Sequence, residues 1–231
     1  MSADEFARKL GFWSATITAL LVVLIDVGMI LSTLLFPMTS ITSIETYAAS
    51  FTSWQMLPFV PSLMLALIFP LLMLSIHHYA SPDRKILSQL GFSFAVICTA
   101  ILSLHYYLQL TVVQQGLLNN ETSGLWLLAT PNANSLFWTL AALGYGFMGI
   151  ALLTAAPIFK EKSEKTIKLL LIANGIIGIV FLVGNAFGIF ITNILASFIW
   201  GILFPIACVF LAKAFRKRPT IESASLDKQQ K

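Results

Sequence analysis

The sequence predicts an all-α integral membrane protein, built as a bundle of six transmembrane helices with both termini in the cytoplasm. Composition is the first observation behind this prediction: 58% of the 231 residues are apolar and 10% are charged. In a soluble domain, about a quarter of all residues are usually charged. Too few polar side chains remain to cover a surface in water, so lipid must be much of the solvent.

The apolar segments are the second observation, because a helix needs about 20 apolar residues to cross the hydrocarbon core. Six windows are long enough, and they are 13–36, 57–79, 88–113, 135–159, 167–187 and 193–213. The first is too long for a cleaved signal peptide and is expected to be retained. We predict one transmembrane domain over residues 1–215, a tight hairpin at Phe190–Asn193 between the last two spans, and a flexible basic cytoplasmic tail over 216–231.

The third observation is the position of the basic residues. All 14 Lys and Arg residues lie on one side: before the first span, between spans two and three, between spans four and five, or at the C-terminal end, with Lys168 and Lys213 at the edges of their windows. The three alternate connections contain no Lys or Arg, and their charged residues are the acids Glu45 and Glu121. By the positive-inside rule both termini face the cytoplasm, and the expected location is the inner membrane of a prokaryotic cell.

Two of the outer connections have the pattern of short helices that lie in the membrane interface. Apolar residues from Ile44 to Trp54 recur at steps of three and four, and Thr42 and Glu45 have the spacing of a capping box. The segment 122–130 is a weaker example, and Asn134 is the expected cap of the fourth span. These helices are either packed connectors or a lid over an outer opening.

Glycine and proline mark the places where the helices would pack closely or bend. Glycines recur in the fourth and fifth spans, at positions 144, 146, 149, 175, 178, 184 and 188. Such faces let helix backbones approach, either within one chain or against partner helices or a second copy. Pro70 and Pro205 should kink their helices and release the carbonyl groups of Ala66 and Gly201.

Asp26 is the residue that most needs explanation, because it lies within the first apolar window. An ionised carboxylate there costs about 2.5–3.5 kcal/mol, so it should face the bundle and find a partner. His105 on the third span is predicted at a comparable depth, and Gln109 shares its helix face. Asn185 and Tyr145 complete a predicted polar cluster. It is either a proton or cation site or a satisfied cluster that fixes helix packing.

A second polar group lies at the cytoplasmic end of the second span and contains His77, His78, Arg84 and Lys85. It could contact the headgroups of anionic lipids, or its side chains could simply extend to the interface. The basic residues lie in short loops beside apolar spans, so nucleic acid is not an expected partner. The buried cysteines Cys98 and Cys208 are expected to act as small packing residues.

Enzymatic motifs are missing from the sequence. Two of the three histidines lie at the cytoplasmic edge and the third lies outward, so they cannot share a zinc ion. HExxH, CxxC and phosphate-binding loops are absent, and only one Asp lies within a span. We therefore predict no catalytic, metal or cofactor residues, and an enzyme is not the favoured class.

Three functional hypotheses remain. The leading one is a small ion- or proton-linked carrier or channel-like protein centred on Asp26 and His105. The alternative is a membrane scaffold or accessory subunit that contacts partner helices through the glycine-rich faces. The third is a lipid-acting membrane enzyme, which would need a lateral cleft beside the polar cluster.

Overall fold

The computed structural model describes residues 2–35 and 41–217, and over these ranges the chain is helical with no strand. The helices in chain order are α1 Ala3–Leu35, α2 Ile44–Ser50, α3 Phe59–Tyr79, α4 Lys85–Leu108, α5 Gln114–Leu118, α6 Leu136–Ala155, α7 Lys165–Ala186 and α8 Phe190–Lys217. A π-helical turn at Gln109–Val113 joins α4 to α5. Six helical segments in these ranges are long and apolar enough to cross a membrane, which confirms the prediction of an all-helical, six-span chain.

The six long helices form a closed ring. Each packs against the long helices that precede and follow it, and α8 returns to pack along α1. Adjacent helices run antiparallel, as their contacts show: the start of α1 meets the end of α8 at Gly11 and Phe215, and the start of α4 meets the end of α6 at Gly91 and Thr154. The ring therefore has a basic end, which carries the Lys and Arg residues of the described chain, and an α2 end. Which end faces the cytoplasm remains a prediction.

Helix boundaries differ from the predicted windows in two places. The hairpin between α7 and α8 turns at Phe187–Ile189, upstream of the predicted Phe190–Asn193. Gly188 has a φ of 69°, and the amide of Ile189 donates to the carbonyl of Gly184 at 2.8 Å. This is a Schellman ending, in which glycine adopts the left-handed conformation without a Cβ clash.

The second difference is at the C-terminus, where α8 continues to Lys217 and passes the predicted start of the tail at 216. The rest of the predicted tail, residues 218–231, lies outside the described residues.

Helices α6 and α7 approach closely at the predicted glycine positions. A Cβ atom added at Gly178 would stand 2.5 Å from the carbonyl oxygen of Tyr145, and one at Gly149 would stand 2.6 Å from that of Gly175. Only residues without side chains allow this backbone contact. The glycines of this crossing are therefore used within one chain.

Each intrahelical proline lies inside its helix as predicted, Pro70 in α3 and Pro205 in α8. Proline has no amide proton, so the carbonyl four residues earlier loses its helical donor. In α3 that carbonyl belongs to Ala66, and it accepts a hydrogen bond of 2.8 Å from the Thr99 hydroxyl of α4. In α8 the corresponding carbonyl belongs to Gly201.

The short helix α2 forms where the sequence predicts it, but its cap and its contacts differ. Ser43 is the N-cap and pairs with Thr46 in the capping box, in place of Thr42 and Glu45. Tyr47 is 1% exposed, so the apolar face of α2 packs onto the bundle. In the second connection, residues 125–127 form one 3₁₀ turn, and Ser135 instead of Asn134 is the residue before α6.

Candidate functional site

A cavity of about 380 Å³ lies inside the ring toward its α2 end. All six long helices contribute to its wall, and α2 and the 130–131 connection close it on one side through Tyr47, Thr130 and Pro131. Antiparallel neighbours arranged in a ring leave such a space at the centre wherever their facing side chains do not meet. We call this space the central pocket.

Asp26 lies deep in the central pocket. It is nine residues before the end of α1, which places it about 14 Å along the helix from that end. Its side chain is half-buried, and no described residue forms a hydrogen bond or an ion pair with its carboxylate. The Asp26 carboxylate is therefore half-buried in the pocket and lacks the partner that the sequence predicts.

The neighbour of Asp26 is the backbone of α8. A Cβ atom added at Gly201 would stand 2.6 Å from Oδ1 and 2.8 Å from Oδ2 of Asp26. Glycine therefore makes room for the carboxylate at this position. Pro205 cannot donate to the Gly201 carbonyl, so the residue of α8 that faces the carboxylate also has a carbonyl without its helical donor.

His105 lies on the wall of the same pocket and is 1% exposed. Its ring packs between those of Tyr106 and Phe137, with both pairs of centroids 4.6 Å apart. Its Nε2 atom is buried and has no hydrogen-bond partner. Asp26 and His105 therefore share the pocket, but they do not form the hydrogen-bonded pair that the sequence suggests.

Tyr145 is the third predicted residue on the pocket wall. Its hydroxyl is 2.8 Å from the hydroxyl of Tyr106, and its ring packs edge-on against Trp200 at 5.1 Å. Trp200 in turn stacks on Phe204 at 5.0 Å. These contacts make the deep part of the pocket an aromatic surface.

Gln109 and Asn185, the other two predicted members of the cluster, do not line the pocket. Gln109 begins the π-helical turn, and its amide nitrogen donates to the carbonyl of Leu128 at 3.0 Å. Asn185 lies in the last turn of α7, where its carbonyl accepts the amide of Gly188. Both residues stabilise chain connections at the α2 end.

Several pocket residues escape prediction from the sequence. Trp200 reads as an ordinary packing residue, and Gln55 lies in a connection without a recognisable motif. Gln55 is 4% exposed, lines the pocket and has a buried Oε1 atom without a partner. No periodicity could reveal these positions, because the ring brings together residues that are distant in sequence.

The exposed side chains of the pocket wall lie on two helices, α1 and α8. They are Met29, Thr33 and Ser197, whereas the other lining residues are buried or half-buried. Met29 and Thr33 lie on the α2 side of Asp26, and Ser197 lies one turn before Gly201. The pocket therefore reaches the outside of the bundle along the line where α1 and α8 meet, which we call the α1–α8 seam.

Tyr47 of α2 covers the pocket from the end of the ring. Its ring packs edge-on against Phe51 at 5.9 Å. Burial raises the pKa of Tyr47 to about 12, so its hydroxyl is neutral at physiological pH. The cover of the pocket is thus uncharged, as the contact with an apolar wall requires.

The predicted headgroup residues at the basic end all have partners within the protein. His78 contacts Asp4 at 3.0 Å, Arg84 contacts Asp83 at 3.4 Å, and the Lys85 ammonium donates to the carbonyl of His77 at 2.6 Å. The His77 ring pairs with the Ser88 hydroxyl at 2.8 Å. These contacts tie α1, α3 and α4 together, and binding of lipid headgroups remains a prediction.

Comparisons of the chain with protein families, with curated proteins and with solved structures find no match.

Proposed function

We propose that this chain is a multi-pass membrane protein that binds a cation or proton at Asp26 and carries or conducts it. The observation that supports this most directly is a carboxylate without a protein partner, deep in a central pocket at membrane level. An acid in that position needs a proton, a cation or water to balance it. A binding site supplies that balance when it is occupied.

The backbone beside Asp26 adds to the proposal. A proton on the carboxyl group would let it donate a hydrogen bond, and a bound cation would instead be coordinated by its oxygens. His105 lies on the same pocket wall and is a second side chain that can bind a proton.

The competing hypotheses receive less support. A scaffold that uses its glycine faces needs them exposed, but Gly146 faces Leu182 and Gly178 faces Tyr145 of the same chain. A lipid-acting enzyme needs an acid–base pair or an activated nucleophile, and Asp26 and His105 share no hydrogen bond.

Cation flux into proteoliposomes tests the proposal. The vesicles would enclose a dye that reports the transported ion, which is a pH-sensitive dye for protons or a cation-sensitive dye for monovalent cations. An imposed membrane potential would drive these ions inward. The wild-type protein should conduct above empty vesicles, whereas Asp26→Asn should fall to their level because the neutral amide cannot hold the charge.

Glu121→Gln is the matched control, since Glu121 is an exposed acid outside the pocket and its loss should leave flux unchanged. Asp26→Glu keeps the charge and should retain part of the flux. Gel filtration and thermal unfolding of each variant would separate lost flux from lost folding. A well-folded Asp26→Asn variant that conducts at the full wild-type rate would refute the proposal.

A further inference from the structure

We infer that the ligand of the central pocket is a membrane-soluble organic cation, an ammonium compound with an apolar body, which enters from the lipid through the α1–α8 seam. This inference rests on the proposed cation site at Asp26 and specifies what that site binds. Charge, wall chemistry, volume and the position of the opening each contribute to it.

The charge of the pocket lining favours a cationic ligand. Asp26 is the one acid among the lining residues, and neither Lys nor Arg lines the pocket in the described chain. An anionic ligand would therefore meet an uncompensated like charge, and a neutral one would leave Asp26 unbalanced. A single positive charge on the ligand gives the best match.

Wall chemistry is the second step and separates organic from inorganic cations. Inorganic cations such as Mg²⁺ and Ca²⁺ prefer several oxygen ligands. The pocket that contains Asp26 is lined mainly by rings and aliphatic groups, including Ile25, Tyr145, Ile177 and Trp200. Aromatic faces attract quaternary ammonium groups, and aliphatic walls favour a hydrocarbon body.

Volume and polarity are the third step. A cavity of about 380 Å³ is far larger than a bare ion requires, and it falls within the range of about 300–1,000 Å³ that is usual for small-molecule pockets. A few fixed polar groups in such pockets orient the ligand. His105 and Gln55 are polar side chains of this lining.

The opening is the fourth step. The exposed lining residues Met29, Thr33 and Ser197 all lie on α1 and α8, which are membrane-spanning by length and composition. Their surroundings on the outer faces are apolar, and Ile30 and Phe198 beside them are 53% and 70% exposed. A ligand that crosses this seam passes through lipid, so it must dissolve in lipid.

Binding of tritiated octyltrimethylammonium to the full-length protein in lipid nanodiscs tests the ligand class. Its neutral isostere, 2,2-dimethyldecane, has the same shape without the charge and serves as competitor. The wild-type protein should bind the ammonium above empty nanodiscs, and the isostere should not displace it. Asp26→Asn should weaken binding by about tenfold or more, whereas Glu121→Gln should not change it.

Trp200→Leu provides a second variant that keeps the carboxylate. It removes an aromatic face of the pocket wall and should weaken binding of the ammonium several-fold, whereas Glu121→Gln should leave binding unchanged. This variant keeps the test decisive if Asp26→Asn does not fold.

The path of entry is tested by closing the seam. Ser197→Trp places a large ring at the opening and should slow association of the ammonium several-fold. Phe198→Trp is the matched control, since it puts the same ring on the neighbouring lipid-facing position outside the pocket. Equal association rates for the two variants would overturn the lateral path.

The outcomes also separate this inference from the function on which it rests. Equal displacement by the isostere would show recognition of the apolar body alone and would overturn the ligand class. Asp26-dependent proton flux without ammonium binding would overturn the organic ligand and leave the cation site standing. A folded wild-type protein that shows neither cation flux nor ammonium binding would overturn both proposals.

Discussion

At the residue scale, each of the two prolines inside helices leaves the carbonyl four residues earlier without its helical donor. The surroundings of these two carbonyls differ. The Ala66 carbonyl, which loses its donor to Pro70, accepts a hydrogen bond from Thr99 across the α3–α4 contact. At the Gly201 position, which loses its donor to Pro205, the neighbour is the Asp26 carboxylate. A hydroxyl can donate and an ionised carboxylate cannot. The Ala66 carbonyl therefore has a donor within the protein, whereas the Asp26 carboxylate has none among the described residues.

Thr99→Val should reduce the free energy of unfolding by about 0.5–1.5 kcal/mol, because it removes the hydroxyl that Ala66 depends on and keeps the side-chain volume. Unfolding by SDS in mixed micelles, followed by circular dichroism, measures the change. Thr111→Val is the control, since the Thr111 hydroxyl donates only to Tyr107 on its own helical turn. A loss at Thr111 as large as that at Thr99 would contradict the proposed role of the interhelical bond.

At the element scale, the α6–α7 crossing depends on the absence of side chains. Gly149 and Gly178 face each other across the two helices, and carbonyl oxygens occupy the space that a Cβ atom would need. Backbone atoms of a helix cannot move aside without breaking their own hydrogen bonds. This crossing therefore sets the angle at which α7 delivers Ile177 and Phe181 to the pocket wall.

Gly178→Ala should destabilise the protein by about 1–3 kcal/mol, since overpacking against backbone forces the two helices apart. Gly28→Ala is the matched control on α1. Its added Cβ atom would meet Pro58 at an ordinary 3.4 Å, and alanine favours helix by about 1 kcal/mol over glycine. Unfolding in SDS should rank Gly178→Ala well below wild type and Gly28→Ala level with it or above. The reverse order would contradict the close α6–α7 contact.

At the scale of the whole molecule, the ring of antiparallel helices separates two chemically different ends. Polar contacts concentrate at the basic end, where Lys160 pairs with Asp83 and the Tyr79 hydroxyl donates to Glu164. The pocket and its cover lie toward the α2 end. The ion pairs and the pocket therefore lie toward opposite ends of the bundle.

The orientation that the positive-inside rule predicts can be measured by cysteine labelling. Glu121→Cys should react with a membrane-impermeant maleimide in intact cells, whereas Ser163→Cys should react only after the membrane is opened. The reason is the positive-inside rule, because Ser163 lies among lysines and Glu121 does not. The native cysteines Cys98 and Cys208 are buried and give a low background. The opposite labelling pattern would reverse the predicted orientation.

Prediction from sequence succeeds where one residue or one helix contains the signal. Asp26 is conspicuous because a carboxylate is costly among apolar neighbours, and Pro70 and Pro205 act through local backbone geometry. Gln109 and Asn185 depend on contacts that no local pattern shows. Helical spacing predicts that Gln109 shares a face with His105, but the Gln109 amide donates to the Leu128 carbonyl and the residue does not line the pocket.

The sequence by itself determined the helical class, the six apolar spans, the acid within the first span, the prolines inside helices and the glycine-rich faces, since each depends on short-range pattern or on transfer of side chains into lipid. Only the tertiary structure decided that the ring closes α8 onto α1, that Asp26 meets Gly201 instead of His105, and that Trp200 and Gln55 belong to the pocket. These contacts join residues far apart in the chain. They depend on the rotation and depth at which whole helices pack, which no local pattern of residues specifies.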